Sequence, residues 1–140
     1  MKKQSICILF VFFLICIVFM SCASLSEEDI PDFDMRSFFF GRWHYPKNNM
    51  YYTITSETLE GYKPEDRTGF TAKIIEWKLV ENPGPNRDEY PKGYAITAGM
   101  QKMTGGWWIE IGEIYTWVWY MSNDKESIIT GDSGAVYYRR

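Results

Sequence analysis

From Gly41 to the end of the chain, apolar and polar residues alternate in short runs interrupted by turn-forming residues. A period of two sends successive side chains to opposite faces of an extended strand, and no stretch carries the 3.6-residue period of an amphipathic helix. The pattern predicts strands over 40–46, 49–55, 58–62, 69–80, 93–99, 106–111, 114–121, 126–130 and 135–139. The breaks between them have chemical causes. Pro46-Lys47-Asn48-Asn49, the stretch from Lys63 to Thr68 around Pro64, Asn82-Pro83-Gly84-Pro85-Asn86, Ser122-Asn123-Asp124 and Gly131 to Gly134 supply the residues that turns require. Gly112-Glu113 separates Trp107–Ile111 from Ile114–Val118, and glycine at the first of two central positions suits a type II′ hairpin. That register pairs Ile111 with Ile114, Ile109 with Thr116 and Trp107 with Val118 on one face. Trp108, Glu110, Tyr115, Trp117 and Trp119 then share the other. Both faces are largely apolar, so one must fill a core while the other meets a cavity, a partner or a second layer. Eight or nine short antiparallel strands in sequential hairpins predict an all-β domain, an up-and-down barrel or a small sandwich. Closure into a barrel removes exposed strand edges.

Ahead of this region the chain changes character. Lys2 and Lys3 precede an unbroken apolar run from Ile6 to Met20, followed by Ser21-Cys22-Ala23-Ser24. A positive head, an apolar middle and small residues at its end predict an export signal over 1–21. The run falls short of the about 20 apolar residues of a bilayer-spanning helix unless it continues through Leu25, and an uncleaved signal anchor is the alternative. The cysteines are Cys7, Cys16 and Cys22. Cleavage before Cys22 leaves a single thiol as the first residue, so no intramolecular disulfide can form. Phe19-Met20-Ser21-Cys22 resembles the lipobox of bacterial lipoproteins, in the looser form seen in spirochaetes. The resemblance implies a lipid anchor at Cys22 and an extracytoplasmic domain held on an envelope membrane, inner or outer. Glu27, Glu28, Asp29, Asp32 and Asp34, with Pro31 among them and no base before Arg36, predict that 22–37 is a solvated acidic tether. Phe38-Phe39-Phe40 then opens the folded domain, 38–140.

Length and charge narrow the functional classes. A chain of 140 residues with such a leader holds one domain, large enough to bury a core without metal or disulfide. Lys and Arg number 15 against 18 Asp and Glu, and removal of Lys2 and Lys3 makes the balance more acidic still. Binding to nucleic acid draws on clustered Lys and Arg, which this chain lacks. Six Trp and ten Tyr all lie beyond residue 40, which reinforces the strand assignment.

Gly41-Arg42-Trp43, just after the Phe38–Phe40 segment, resembles the Gly-X-Trp opening of lipocalins and the wider calycin group. Tyr137-Tyr138-Arg139 is similar to the terminal strand in which those barrels set an arginine over that tryptophan. The resemblance implies a single antiparallel up-and-down barrel, with one closed end and one ligand mouth. In it Gly41, Trp43 and Arg139 form the structural signature.

Catalytic readings are weaker than structural ones. Gly131-Asp132-Ser133-Gly134 matches the letters around the nucleophile of trypsin-like proteases, but those enzymes need two barrels and a histidine base, and Asp, Ser and Gly also make a hairpin turn. His44 is the only histidine and points to the face opposite Trp43, a rim or surface position. A zinc site would lack the second His or Cys that zinc favours. Glu110 and Glu113 flank the expected hairpin turn, where a glycosidase pair is conceivable, though solvated charge is the simpler account. The expectation is therefore a non-enzymatic lipoprotein without metal or cofactor. Its aromatic stripe of Trp108, Tyr115, Trp117 and Trp119 is the candidate surface for a small apolar or amphipathic ligand. The alternative is a structural or interaction lipoprotein, its barrel filled by side chains, that meets another envelope protein or a glycan.

Overall fold

The computed structural model describes residues 32–140, with side chains from Met35 onward. The expected export signal, Cys22 and the first part of the expected tether lie outside the described residues. The chain forms helix α1 (Asp32–Ser37) and strands β1 (Gly41–Tyr45), β2 (Met50–Ile54), β3 (Thr58–Lys63), β4 (Thr68–Glu81), β5 (Lys92–Thr104), β6 (Ile114–Met121), β7 (Ser127–Thr130) and β8 (Val136–Arg139). Each strand pairs antiparallel with the next, and β8 returns to β1 through Trp43↔Arg139 and His44↔Tyr138. The result is a closed eight-stranded, lipocalin-like up-and-down barrel.

Two expectations change. The end of the acidic tether is helical: Arg36 sits in the last turn of α1, and the amides of Phe38, Phe39 and Phe40 bond back to the carbonyls of Met35, Arg36 and Ser37. Met35 packs against the core, so the folded unit begins before Phe38. The second change concerns the hairpin at Gly112-Glu113, which does not form, and 106–111 is not a strand. Instead β5 runs on to Thr104 and pairs with β6 from Gly99↔Ile114 to Lys92↔Met121. That ladder is longer than a five-residue arm allows, and it brings Tyr94, Ile96 and Ala98 onto the same face as Trp119, Trp117 and Tyr115. Residues 105–113 become a loop. Gly112, at φ +91°, turns the chain so that its amide donates to the Met100 carbonyl while the Met100 amide donates to that of Glu113. Ile111 and Ile114, expected to pair, are both exposed.

The barrel ends differ because of topology. α1, residues 38–40 and the connections 55–57, 82–91 and 122–126 lie at one end; 46–49, 64–67, 105–113 and 131–135 lie at the other. Phe39 and Trp43 seal the first. The Trp43 indole donates to the Phe39 carbonyl at 2.8 Å, and the Arg139 guanidinium lies across the ring with Cζ 4.3 Å from its centroid. Arg139 also donates to the carbonyls of Phe38 (2.7 Å), Phe40 (3.2 Å) and Lys125 (3.1 Å), which ties the last strand to the segment before β1 and to the 122–126 connection. Gly41 has φ +129°, a backbone conformation that side-chain-bearing residues rarely adopt, so this position needs glycine; a β-carbon there would only touch the guanidinium, at 3.4 Å.

The two-sided apolarity of β6 is resolved by a second layer. Trp117 and Trp119 face the interior, while Val118 and Tyr120 face outward into a smaller cluster with Tyr90, Ile129, Val80 and Val136. The 82–91 connection lies over that outer face. It is held by Tyr90 Oη against Ser127 Oγ at 2.9 Å and by the Asn123 amide donating to the Glu89 carbonyl at 3.0 Å. Gly93 permits the crossing with β6, since a β-carbon there would fall 1.8 Å from the Trp119 carbonyl oxygen.

Candidate functional site

The open end is shaped by a mismatch in strand length. β7 contributes only Trp119↔Thr130, Tyr120↔Ile129 and Met121↔Ile128 to its ladder with β6. Residues 114–118 of β6 therefore run toward the mouth with no β7 residue beside them. The 131–135 turn borders the gap. Its form is set locally: the Gly131 amide donates to Val118 O at 2.8 Å, the Ser133 amide to Asp132 Oδ1 at 2.6 Å and the Ala135 amide to Thr130 Oγ1 at 2.9 Å, with Thr130 and Ser133 hydroxyls 2.7 Å apart. Asp132 and Ser133 are thus turn residues, as the sequence indicates.

Between that turn and β6 lies a cleft of about 480 Å³ whose walls include Tyr52, Trp108, Tyr115, Trp117, Trp119 and Tyr137. The four aromatic residues singled out from the sequence meet here, in unequal roles. Trp108, on the 105–113 loop, is 63% exposed and forms the rim, with its ring edge-on to Tyr115 at 4.3 Å between centroids. Tyr115 is half-buried and meets Trp117 at 4.8 Å. Trp117 and Trp119 are buried and form the floor, where Trp119 packs at 5.0 Å against Tyr52 and so also belongs to the core. Trp108 reaches Tyr115 from a loop rather than from a neighbouring strand.

Tyr52 and Tyr137 are the contributors not singled out from sequence. Their rings are 5.4 Å apart, and both hydroxyls are held in the phenol form well above the ordinary tyrosine range. Burial is the main cause in each. For Tyr52 the neighbouring Tyr137 adds to it, the Trp117 N–H offsets part, and Asp132 and Tyr115 add lesser amounts. For Tyr137, Tyr45 and then Asp132 add to the burial effect. The Trp117 N–H is near the Tyr52 hydroxyl but outside hydrogen-bond geometry, and the Trp107 N–H is buried without a partner. A signal for both tyrosines exists in the sequence: Tyr52 shares its face with Met50 and Ile54, and Tyr137 shares its face with Arg139.

The remaining candidates are dispersed. His44 lies on the outer wall, stacked on Tyr51 at 4.5 Å and 3.1 Å from Asn49 Oδ1 through Nε2. Glu113 accepts from the Glu110 amide at 2.9 Å, so the pair closes the 105–113 loop. Among the described residues no cluster of His, Cys, Asp and Glu is arranged to hold a metal ion. A second depression of about 470 Å³ runs along the outer wall past Arg42, Tyr51, Glu60, Tyr62 and Lys102, where Arg42 stacks on Tyr51 at 4.2 Å. It mixes charges of both signs, whereas the cleft at the mouth is a convergence of rings. Comparison with protein-family models, curated proteins and solved structures gives no match, so the site's own geometry carries the functional reading.

Proposed function

We propose that this chain is an envelope-anchored lipoprotein that binds a small apolar or amphipathic molecule, without catalysis, in the aromatic cleft at the open end of its barrel. The carrying observation is the cleft itself. Its volume of about 480 Å³ falls within the range of roughly 300–1,000 Å³ usual for small-molecule sites, and seven aromatic residues line it. Rings offer a large apolar contact area with polar edges, and the Tyr52 and Tyr137 hydroxyls with the unpartnered Trp117 N–H supply orientation. Kinship with lipocalins belongs to the same proposal. It is supported by the closed-end arrangement of Gly41, Trp43 and Arg139.

The anchor is proposed from the sequence around Cys22, and it places the domain outside the cytoplasm. Cys22→Ala should abolish acyl labelling of the protein, and stable attachment requires more than one acyl chain. A specific observation also favours the interaction reading: Trp108, Ile111 and Ile114 are all exposed beside the mouth. Native mass spectrometry of the full chain, released from its own envelope in a mild nonionic detergent, separates the two. The ligand reading predicts a discrete added mass that is lost on denaturation. A bare protein mass together with a stoichiometric protein complex overturns it.

A further inference from the structure

The charge inventory of the cleft deepens this reading, on which it rests. Among the cleft's lining residues Asp132 is the sole side chain charged at neutral pH; none is Lys, Arg or His. Its Oδ1 accepts from the Ser133 amide, and Asp132 has no ion-pair partner among the described residues. Seven of the other lining residues are aromatic and the remainder, Thr116, Val118, Thr130, Gly131 and Ser133, are uncharged; ring faces present the negative lobe of a quadrupole. A carboxylate without a counter-ion beside rings packed edge to face is complementary to one class of small molecule. We propose that the open-end cleft recognises an organic cation, an ammonium-bearing small molecule whose positive head lies against Trp108, Tyr115 and Trp117 and is neutralised by Asp132.

Three features support this choice over a neutral or anionic amphiphile. A desolvated ammonium gains from an aromatic face in proportion to its exclusion from water, and Trp, the best such face, is present at rim and floor. An anionic head would meet Asp132 and ring faces together, both repulsive, with no basic side chain in the wall to offset them. The Asp132 carboxylate is also close enough to the floor to add a lesser contribution, after burial, to the raised titration of both Tyr52 and Tyr137.

The test uses three probes of one shape and different charge: choline, the neutral 3,3-dimethylbutan-1-ol and the anionic 3,3-dimethylbutanoate. Each is titrated at low ionic strength into the full chain in nonionic detergent and followed by tryptophan fluorescence and calorimetry. The proposal predicts choline binding roughly ten-fold tighter than the alcohol, with the anion weakest. Asp132→Asn keeps a side-chain oxygen for the Ser133 amide and should remove most of the choline advantage while leaving the alcohol unchanged. Trp108→Ala, at an exposed position that the fold tolerates, should weaken choline several-fold more than the alcohol. Equal affinity for choline and the alcohol, or preference for the anion, overturns the cation assignment and leaves the small-molecule reading standing. Failure of every probe to bind overturns both.

Discussion

The two ends of this barrel spend the same residue types on opposite tasks. At the closed end Trp43 is wholly buried, its N–H is bonded to Phe39, and Arg139 covers its face while donating to three separate carbonyls. At the open end Trp117 and Trp107 keep unpartnered N–H groups, Trp108 lies exposed on a loop, and Asp132 has no counter-ion among the described residues. A tryptophan whose polar atom and both faces are satisfied contributes to stability. One with an unpaired N–H or an open face is available to something else. The contrast teaches that ring count alone does not locate function; the satisfaction of each ring's surroundings does.

That contrast breaks most visibly at the closed end. Trp43→Ala removes a fully buried indole and should cost about 3–5 kcal/mol in denaturant unfolding, a large share of the roughly 5–15 kcal/mol typical of a domain. Arg139→Ala should cost less, about 1–3 kcal/mol, because it strips donors from the carbonyls of Phe38, Phe40 and Lys125 as well as the stack on Trp43. Arg139→Lys should recover only part of this loss, since an ammonium has neither the planar face nor the fork.

The buried phenols give a pH signature from the open end. Tyr52 and Tyr137 titrate above the ordinary value of 10.0 in the folded state, so folding is favoured by their neutral forms. That contribution is fully present below about pH 10 and is lost as pH climbs beyond the unfolded pKa toward the higher folded ones. Alkaline titration followed at 295 nm should show their phenolate absorbance arriving together with unfolding, and Tyr52→Phe should move the transition to higher pH. Phenolates forming in a still-folded barrel would contradict the burial argument.

The smallest effect is expected outside both groups. His44→Ala on the outer wall should change stability by less than about 1 kcal/mol and leave probe affinity within about two-fold. A hundred-fold loss of binding or of any activity there, with stability retained, would place a working site where the structure has only a wall.

Much of the fold was legible from period-two patterning, because a strand's inward and outward faces are written in alternate letters. Eight of the nine expected strands are present within a few residues. The ninth failed because Gly112 lies between two apolar runs, which is what a tight hairpin looks like. Sequence spacing does not reveal that Ile114–Met121 has a better partner in Lys92–Gly99. The α1 helix was hidden by an acidic composition that reads as solvated, and its register depends on Met35 reaching the core. Within the site, alternation correctly grouped Tyr115, Trp117 and Trp119, whereas Trp119 proved to be core as much as site. Tyr52 and Tyr137 come from distant strands, and only barrel closure brings them beside β6. Asp132 carried no signal beyond its turn, since its isolation from basic residues is a property of the folded surface.

Fluorotryptophan NMR tests the division of labour between the two ends most directly, because it reads each of the six tryptophans separately. With 5-fluorotryptophan incorporated and each signal assigned by single Trp→Phe substitution, choline is titrated into the full chain. The account predicts saturable shifts at Trp108 and Trp117, a smaller one at Trp119, and none at Trp43. A shift at Trp43 with Trp108 and Trp117 unmoved would contradict it.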